Sequence, residues 1–212
     1  NNIGESMFYS SNEFEVVIME MKPKRGDFLS VAHFKNLQTE EVGNKYWTFK
    51  IKPVGYEFLK GEELGDCVKE IISKNKSKEY EEMDQLLDDL FHEKVDLQDK
   101  YKTTVAIKNI MLTPHIDDNG IERLIDGIIY PSIARNRKGV NILLRPKSAN
   151  RKLIFEAVQT FQVIEENKEE IRLKFKRYGL PEKKRFHPAD ALSDIKWHSI
   201  AKLDQEEVVI KK

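Results

Sequence analysis

The order of apolar and polar residues near the start of the chain predicts a strand followed by an amphipathic helix. Residues 7–9 form an apolar run, and residues 10–12 (Ser-Ser-Asn) are types that commonly cap helices. One helix face follows at the i, i+3, i+4 and i+7 spacing, made of Phe14, Val17, Ile18 and Met21. Pro23 and Gly26 are expected to end this helix.

Four further runs predict strands. Phe28–Phe34 is apolar on both alternating faces, so we expect a strand that is buried on both sides and central in its sheet. Tyr46–Ile51 is a second candidate, and Ile128–Tyr130 follows an Asp-Gly turn signal. Val140–Leu144 is β-branched and almost continuously apolar, which predicts another central strand.

The middle of the chain is predicted to be helical, because three apolar stripes recur there at helical spacing. The first stripe comprises Leu64, Val68, Ile71 and Ile72, the second comprises Met83, Leu86, Leu87, Leu90 and Phe91, and the third comprises Val105, Ile107, Ile110 and Met111. The polar run Ser73–Lys78 is expected to link the first two helices.

From residue 152 onward the pattern fits either a helix or a β-hairpin. The helix would bury Ile154, Val158, Phe161 and Ile164. The hairpin is favoured because residues 171–175 alternate as in a strand and residues 166–168 (Glu-Asn-Lys) form a turn candidate. The whole order predicts an α+β fold, with a mixed or antiparallel β core and flanking helices.

Charge and composition exclude several classes of function. The chain has 36 Lys and Arg residues against 36 Asp and Glu residues. Without a basic excess we expect no direct binding to nucleic acid, which depends on neutralising phosphates. No apolar run reaches the roughly 18 residues that span a bilayer, so we expect no membrane partner. Cys67 is the only cysteine, which fits a reducing, cytoplasmic location.

The motifs of several common cofactor sites are missing from the sequence. No Gly-x-Gly-x-x-Gly or Walker-type loop follows a predicted strand. The five histidines lack the spacing of a zinc site, and each is expected to be structural or to lie on the surface. We therefore expect neither a bound metal nor a Rossmann-type dinucleotide site.

Two segments resemble the RES domain family, which is named for an arginine, a glutamate and a serine. The first segment is residues 7–23 (MFYSSNEFEVVIMEMKP), followed by Gly26-Asp27 and Val31–Phe34. It is similar to that family's strand with a tyrosine, helix with a glutamate and following strand. The second segment is Ile125-Asp-Gly-Ile-Ile-Tyr-Pro-Ser132 with Gly139–Leu144, which resembles a block near the end of that family's domain.

The resemblance covers about residues 1–146. Tyr101–Thr104 also resembles an element of that family, although Thr104 stands where glutamine is usual. The resemblance implies a RES-like domain over residues 1–148, similar in fold to ADP-ribosyltransferases, with a helical insertion at about 61–100. Residues 149–212 would then form a C-terminal extension, a β-hairpin plus a tail.

Characterised members of the RES family are toxins of toxin–antitoxin pairs that degrade NAD by hydrolysis or phosphorolysis of its nicotinamide–ribose bond. The resemblance therefore implies NAD as the substrate and an antitoxin-like partner protein that restrains the activity. Matching the motifs implies catalytic roles for Tyr9, Glu20 and Ser132, and NAD-binding roles for Tyr130 and Asn141. A homo-oligomer is compatible with the sequence, which does not define the oligomeric state.

The chemistry of an N-glycosidic bond suits these residue types. Cleavage builds positive charge at the anomeric carbon, which the Glu20 carboxylate would stabilise. The Tyr9 ring would stack on nicotinamide, and Ser132 would donate a hydrogen bond to the carboxamide or to a phosphate oxygen. Each residue also has a plainer interpretation: a solvated glutamate, a core or edge tyrosine, or a serine in a turn. Asn141 is harder to explain in that way, because a buried amide needs hydrogen-bond partners.

In that family the early arginines belong to an element that would lie just before Asn1, so they have no match within the chain. Arginine matters because its guanidinium binds a diphosphate through two parallel hydrogen bonds. Arg25, Arg135 and Arg137 are the substitutes that the chain offers. If the arginine element is missing, the chain could be a RES-like module that binds a nucleotide or a protein without turnover, with the helical region 61–100 as its interaction surface. A further alternative is a protein ADP-ribosyltransferase.

Overall fold

The structure is a computed structural model that describes residues 6–36, 49–55, 78–92, 98–116, 120, 122–135, 138–181, 195–199 and 207–212. The predicted helix over 64–72, the linker before Lys78 and most of the predicted strand 46–51 lie outside these residues. No helix in the described ranges is long and apolar enough to cross a membrane.

The chain divides into two compact units. The first comprises Asn1–Val16 and Phe49–Pro146, and the second comprises Val17–Thr48 and Lys147–Lys212. Each unit has its own mostly antiparallel sheet, accompanied by helices. The predicted α+β class is confirmed at this level, whereas the likeness to ADP-ribosyltransferases and the RES-like domain over 1–148 stay predictions.

The elements of the first unit are β1 (Phe8–Ser11), β3 (Ile51–Pro53), α2 (Lys78–His92), α3 (Gln98–Leu112), β4 (His115–Ile116), β5 (Glu122–Arg123), β6 (Gly127–Pro131) and β7 (Val140–Leu144). Four of its strands form a sheet with the order β1-β7-β6-β3. Strand β7 pairs antiparallel with both β1 and β6, and β3 pairs parallel with β6. The prediction of a central strand at Val140–Leu144 is therefore confirmed.

Helices α2 and α3 contribute to the core of the first unit. The buried members of this core are Val54, Phe91, Met111, Leu112, Ile128 and Leu143. The predicted helices are confirmed, but their predicted buried faces are partly wrong. Met83 and Leu86 of α2 and Ile110 of α3 are exposed, because the core contacts each helix off the centre of its apolar stripe.

Helix α1 (Phe14–Met21) follows β1 closely. The Ser11 hydroxyl accepts a hydrogen bond from the Glu13 N–H at 3.1 Å, which stabilises the turn just before the helix. The predicted buried face is partly wrong. Ile18 is buried as predicted, but Met21 is exposed, and Val16, which was not part of the predicted face, is fully buried. Apolar residues occur almost all around this short helix, so their spacing alone does not select one face.

The second unit is built on a five-stranded antiparallel sheet. Its strands are β2 (Phe28–Asn36), β8 (Leu153–Glu166), β9 (Glu170–Pro181), β10 (Ile195–Ser199) and β11 (Glu207–Lys211), and a short helix α4 (Pro146–Lys152) leads into β8. The order is β10-β9-β8-β2, and β11 also pairs with β9. Buried side chains in this sheet include Leu29, Val31, Phe161, Val163, Ile171, Leu173 and Ile210.

Strands β8 and β9 form the predicted hairpin, which is confirmed. Its turn is organised by Asn167, whose Oδ1 accepts the N–H groups of Glu169 at 2.8 Å and Glu170 at 2.9 Å. On β9, the side-chain hydrogen bond to Glu170 raises the pKa of the exposed Arg172 guanidinium.

The prediction that Phe28–Phe34 is central and buried on both sides is wrong. Among the described strands β2 stands at the end of the sheet order, and its residues alternate in exposure. Leu29 and Val31 are buried, whereas Phe28 and Ala32 are exposed. An apolar residue on the uncovered face of a strand looks the same in sequence as one on a covered face.

Candidate functional site

Three of the five predicted site residues share one face of the first unit's sheet. Asn141 on β7 lies directly opposite Tyr130 on β6 and opposite Ser11 on β1. Directly opposite residues of an antiparallel pair project to the same side, and so do residues two apart along one strand. Tyr9, two residues before Ser11, therefore shares this face with Asn141 and Tyr130.

The environments of the two tyrosines differ. Tyr130 is half-buried, and its ring centroid lies 5.3 Å from that of Phe91 on α2, at an interplanar angle of 54°. It packs against the core of the unit, as the plainer interpretation of this residue proposed. Tyr9 is 55% exposed on β1, which is an end strand of the sheet. Of the two rings, Tyr9 is the one that a ligand could cover.

Ser132 follows Tyr130 by two residues and is fully buried. Its backbone N–H donates to the Gly139 carbonyl at 3.0 Å, which extends the pairing of β6 with β7 by one residue. Pro131 beside it is equally enclosed. With Ser132 fully buried, its hydroxyl does not lie at the surface of the unit.

The loop between β6 and β7 is held against the start of α1. Arg135 in this loop forms an ion pair with Glu13, and both side chains are only about a quarter to a third exposed. Nearby, the Ser11 hydroxyl donates to the Val140 carbonyl at 2.6 Å. The Glu13–Arg135 pair was not predicted, because residues 122 positions apart carry no local signal of their contact.

Gly139 allows this close approach. Its φ is +73°, and a Cβ atom at this position would collide with the side chains of Val16 and Glu13. Close packing therefore explains why position 139 is a glycine in this chain, independent of any catalytic role.

The Asp-Gly pair of the second family-like segment also has a structural role. The Asp126 carboxylate accepts the Lys50 N–H at 2.7 Å, and the Asp126 N–H donates to the Lys50 carbonyl at 2.8 Å. A Cβ atom on Gly127 would collide with the backbone carbonyl of Leu143. Asp126-Gly127 therefore fastens the chain before β3 to the sheet, and this role needs no ligand.

A buried carboxylate that was not predicted lies beside the end of β6. Asp88 of α2 is buried, and a side chain at Gly55 would collide with both Asp88 and Pro131. Asp84, one turn earlier, accepts the Gly55 N–H at 3.1 Å. Both aspartates thus lie near the carboxyl ends of the parallel strands β3 and β6. Within the described residues no group of three or more His, Cys, Asp or Glu side chains could hold a metal ion.

The remaining candidates lie elsewhere. Glu20 is exposed on the part of α1 that belongs to the second unit, and its predicted approach to Ser132 stays a prediction. Arg25 is exposed in the turn after α1. Arg137 lies outside the described residues. Among these three arginines, Arg135 is the one for which the structure describes an ion pair, and its partner is Glu13 of the same unit.

Comparisons with protein-family models, with curated proteins and with solved structures find no match to this chain.

Proposed function

We propose that this chain consumes NAD by cleaving its nicotinamide–ribose bond, and that it acts as an intracellular toxin or defence effector. One observation carries the proposal: strand register brings Tyr9, Asn141 and Tyr130 to one face of a sheet, and Ser132 lies at the end of the same strand as Tyr130. The residues come from two sequence segments more than a hundred positions apart. Both segments resemble the RES family in sequence.

The proposed reaction breaks the bond between the ribose anomeric carbon and the nicotinamide nitrogen. The nitrogen takes the bonding electron pair, so nicotinamide leaves as a neutral molecule. An oxygen of water or of inorganic phosphate forms the new bond to carbon, and with water a proton is released to solvent. The Glu20 carboxylate is the proposed stabiliser of the positive charge at the anomeric carbon.

The other residues bind and orient the substrate in this proposal. The exposed ring of Tyr9 stacks on nicotinamide. The Asn141 amide, which is buried in this structure, hydrogen-bonds a polar group of NAD. Ser132 donates its hydroxyl proton to the carboxamide or to a phosphate oxygen. Arg135 is the proposed ligand of the diphosphate, and it would exchange its ion pair with Glu13 for this contact.

Nicotinamide release from NAD tests the proposal directly. The purified chain is incubated with NAD, with and without inorganic phosphate, and the products are separated by chromatography. ADP-ribose in both reactions indicates hydrolysis, whereas its phosphorylated form, present only with phosphate, indicates phosphorolysis. Ser132→Ala and Glu20→Gln should each lower the rate at least about tenfold. Ser30→Ala and Glu15→Gln, which alter the same residue types elsewhere, should leave it unchanged. Absence of nicotinamide release from the parent chain contradicts the proposal.

A second candidate function is binding of a nucleotide or a protein without turnover. It is favoured by the complete burial of Ser132 and by the engagement of Arg135 with Glu13. Calorimetry that detects NAD binding to a chain that releases no nicotinamide would support it. A third candidate, protein ADP-ribosylation, would instead add the mass of ADP-ribose to a protein after incubation with NAD and a cell lysate.

A further inference from the structure

Helix α2 does not turn the centre of its apolar face towards the core of the first unit. At about 100° per residue, its five apolar residues of the predicted stripe form one continuous arc. The side that faces the core is different and comprises Asp84, Leu87, Asp88 and Phe91, at i, i+3, i+4 and i+7. The centres of these two faces lie roughly 80° apart around the helix axis.

Specific contacts hold α2 in this rotation. Asp84 accepts the backbone N–H of Gly55, and Asp88 is packed so closely against Gly55 that no side chain fits there. One turn later, the Phe91 ring packs on Tyr130. The helix therefore presents two aspartates to the interior of the unit, and part of its apolar arc lies outside the core.

The uncovered part of the arc is a stripe along α2. Met83 is 56% exposed and Leu86 is 53% exposed, while Leu90 at the edge of the core is half-buried. These three residues, which we name the α2 stripe, have the i, i+3, i+7 spacing of a seam between two packed helices. Burying Met83 and Leu86 against a second helix would be favourable, because it removes their apolar surface from water.

The charge of α2 defines the kind of helix that fits the stripe. Two of its acidic residues, Asp84 and Asp88, face the core, whereas Glu81, Glu82 and Asp89 are exposed. Lys78, the one lysine of the helix, forms an i, i+4 ion pair with Glu82 at 3.4 Å. The exposed surface of the helix is therefore acidic. A partner helix with lysine or arginine beside its apolar seam would complement this surface. A second copy of α2 would instead bring two acidic surfaces together.

We propose that the α2 stripe is the docking surface for a helix of a partner protein, apolar along one face and basic beside that face. This inference stands independently of the proposed NAD chemistry. It names the chemistry of the partner and the side chains that the partner covers.

A labelled synthetic peptide tests the proposal with the full chain. The peptide is about 18 residues long, a length sufficient for a helix, with leucine at the seam positions and lysine on the flanks. Its affinity is measured by fluorescence anisotropy at low salt. A control peptide carries glutamate in place of lysine. The proposal expects saturable binding of the lysine peptide and no binding of the glutamate peptide.

Matched variants connect the binding to the stripe. The double variant Met83→Gln, Leu86→Gln should raise the Kd at least about tenfold, because it removes the apolar seam. Ile110→Gln changes an even more exposed apolar residue, on α3 at 75% exposure, and should leave the Kd unchanged. Circular dichroism verifies that each variant stays folded. Equal binding by the double variant or by the glutamate peptide overturns the proposal. A dimer of the chain that the double variant dissociates would also overturn it, because a second copy would then be the occupant.

Discussion

Glu13 and Arg135 form an ion pair that connects the start of helix α1 with the loop between β6 and β7. The same loop begins with the buried Ser132 and ends at Gly139, which packs against Val16 and Glu13. The pair thus fastens the loop that follows the predicted catalytic serine.

The Glu13–Arg135 pair should be measurable in a double-mutant cycle. Glu13→Gln and Arg135→Gln remove the two charges separately and together, and urea unfolding gives each free energy of unfolding. We expect a coupling energy of about 1 kcal/mol, because both partners are largely shielded from solvent but not fully buried. Lys35 and Glu156, a more exposed pair, should show a smaller coupling. Strictly additive effects at Glu13 and Arg135 would show that the ion pair contributes nothing.

Replacing Gly127 by alanine should destabilise the first unit. The new Cβ would collide with the backbone carbonyl of Leu143, which sits in the central strand and cannot move without disturbing its neighbours. We expect a loss of about 2–3 kcal/mol. Gly120→Ala is the control, since no atom lies within 4 Å of its added Cβ, and its positive φ of 74° should cost about 1 kcal/mol. Thermal unfolding gives the loss of stability in each variant, and equal losses in the two would contradict the predicted collision.

Asp126 should behave as a structural residue. Asp126→Ala removes the buried acceptor of the Lys50 N–H and should cost about 2 kcal/mol of unfolding free energy. Asp126→Asn keeps an oxygen that can accept this hydrogen bond, and we expect it to recover most of the loss. If nicotinamide release is detected, Asp126→Asn should retain it. Loss of turnover in a stable Asp126→Asn protein would instead give the carboxylate a direct part in the reaction.

The turn of the β8–β9 hairpin offers a test in the second unit. Asn167→Ala removes the acceptor of two backbone N–H groups and should destabilise the unit by about 1 kcal/mol. Lys168→Ala, at the next position, should change the stability by less than about 0.5 kcal/mol, as is usual for an exposed residue. Chemical denaturation followed by circular dichroism compares the two. An unchanged midpoint for Asn167→Ala would argue against the role of its side chain.

Several elements could be predicted from the sequence because their signals are local. The strand at Val140–Leu144, the helix over Met83–Phe91 and the hairpin around Asn167 all follow from the spacing of apolar residues and from turn chemistry. Such signals act between neighbours along the chain and survive in any tertiary context that buries one face. The α+β class follows from the order of these elements.

The orientation of these elements could not be predicted in the same way. In α2 the sequence defines an apolar arc through Met83 and Leu86, yet the contacts of Asp84 and Asp88 around Gly55 turn another face to the core. In β2 the alternation defines two faces, and only the sheet decides that Phe28 lies on the uncovered one. Burial depends on partners that are distant in sequence, and spacing along one element carries no information about them.

The same distinction between local signals and tertiary contacts applies to the candidate site. The sequence by itself selected Tyr9, Tyr130, Ser132 and Asn141 as residues of interest, through residue types and motifs. Only the tertiary structure decided that Tyr9, Asn141 and Tyr130 share a face, because strand register aligns segments that are far apart in the chain. It alone also decided that Ser132 is buried and that Glu13 pairs with Arg135, since an ion pair across 122 residues exists only once the strands have paired.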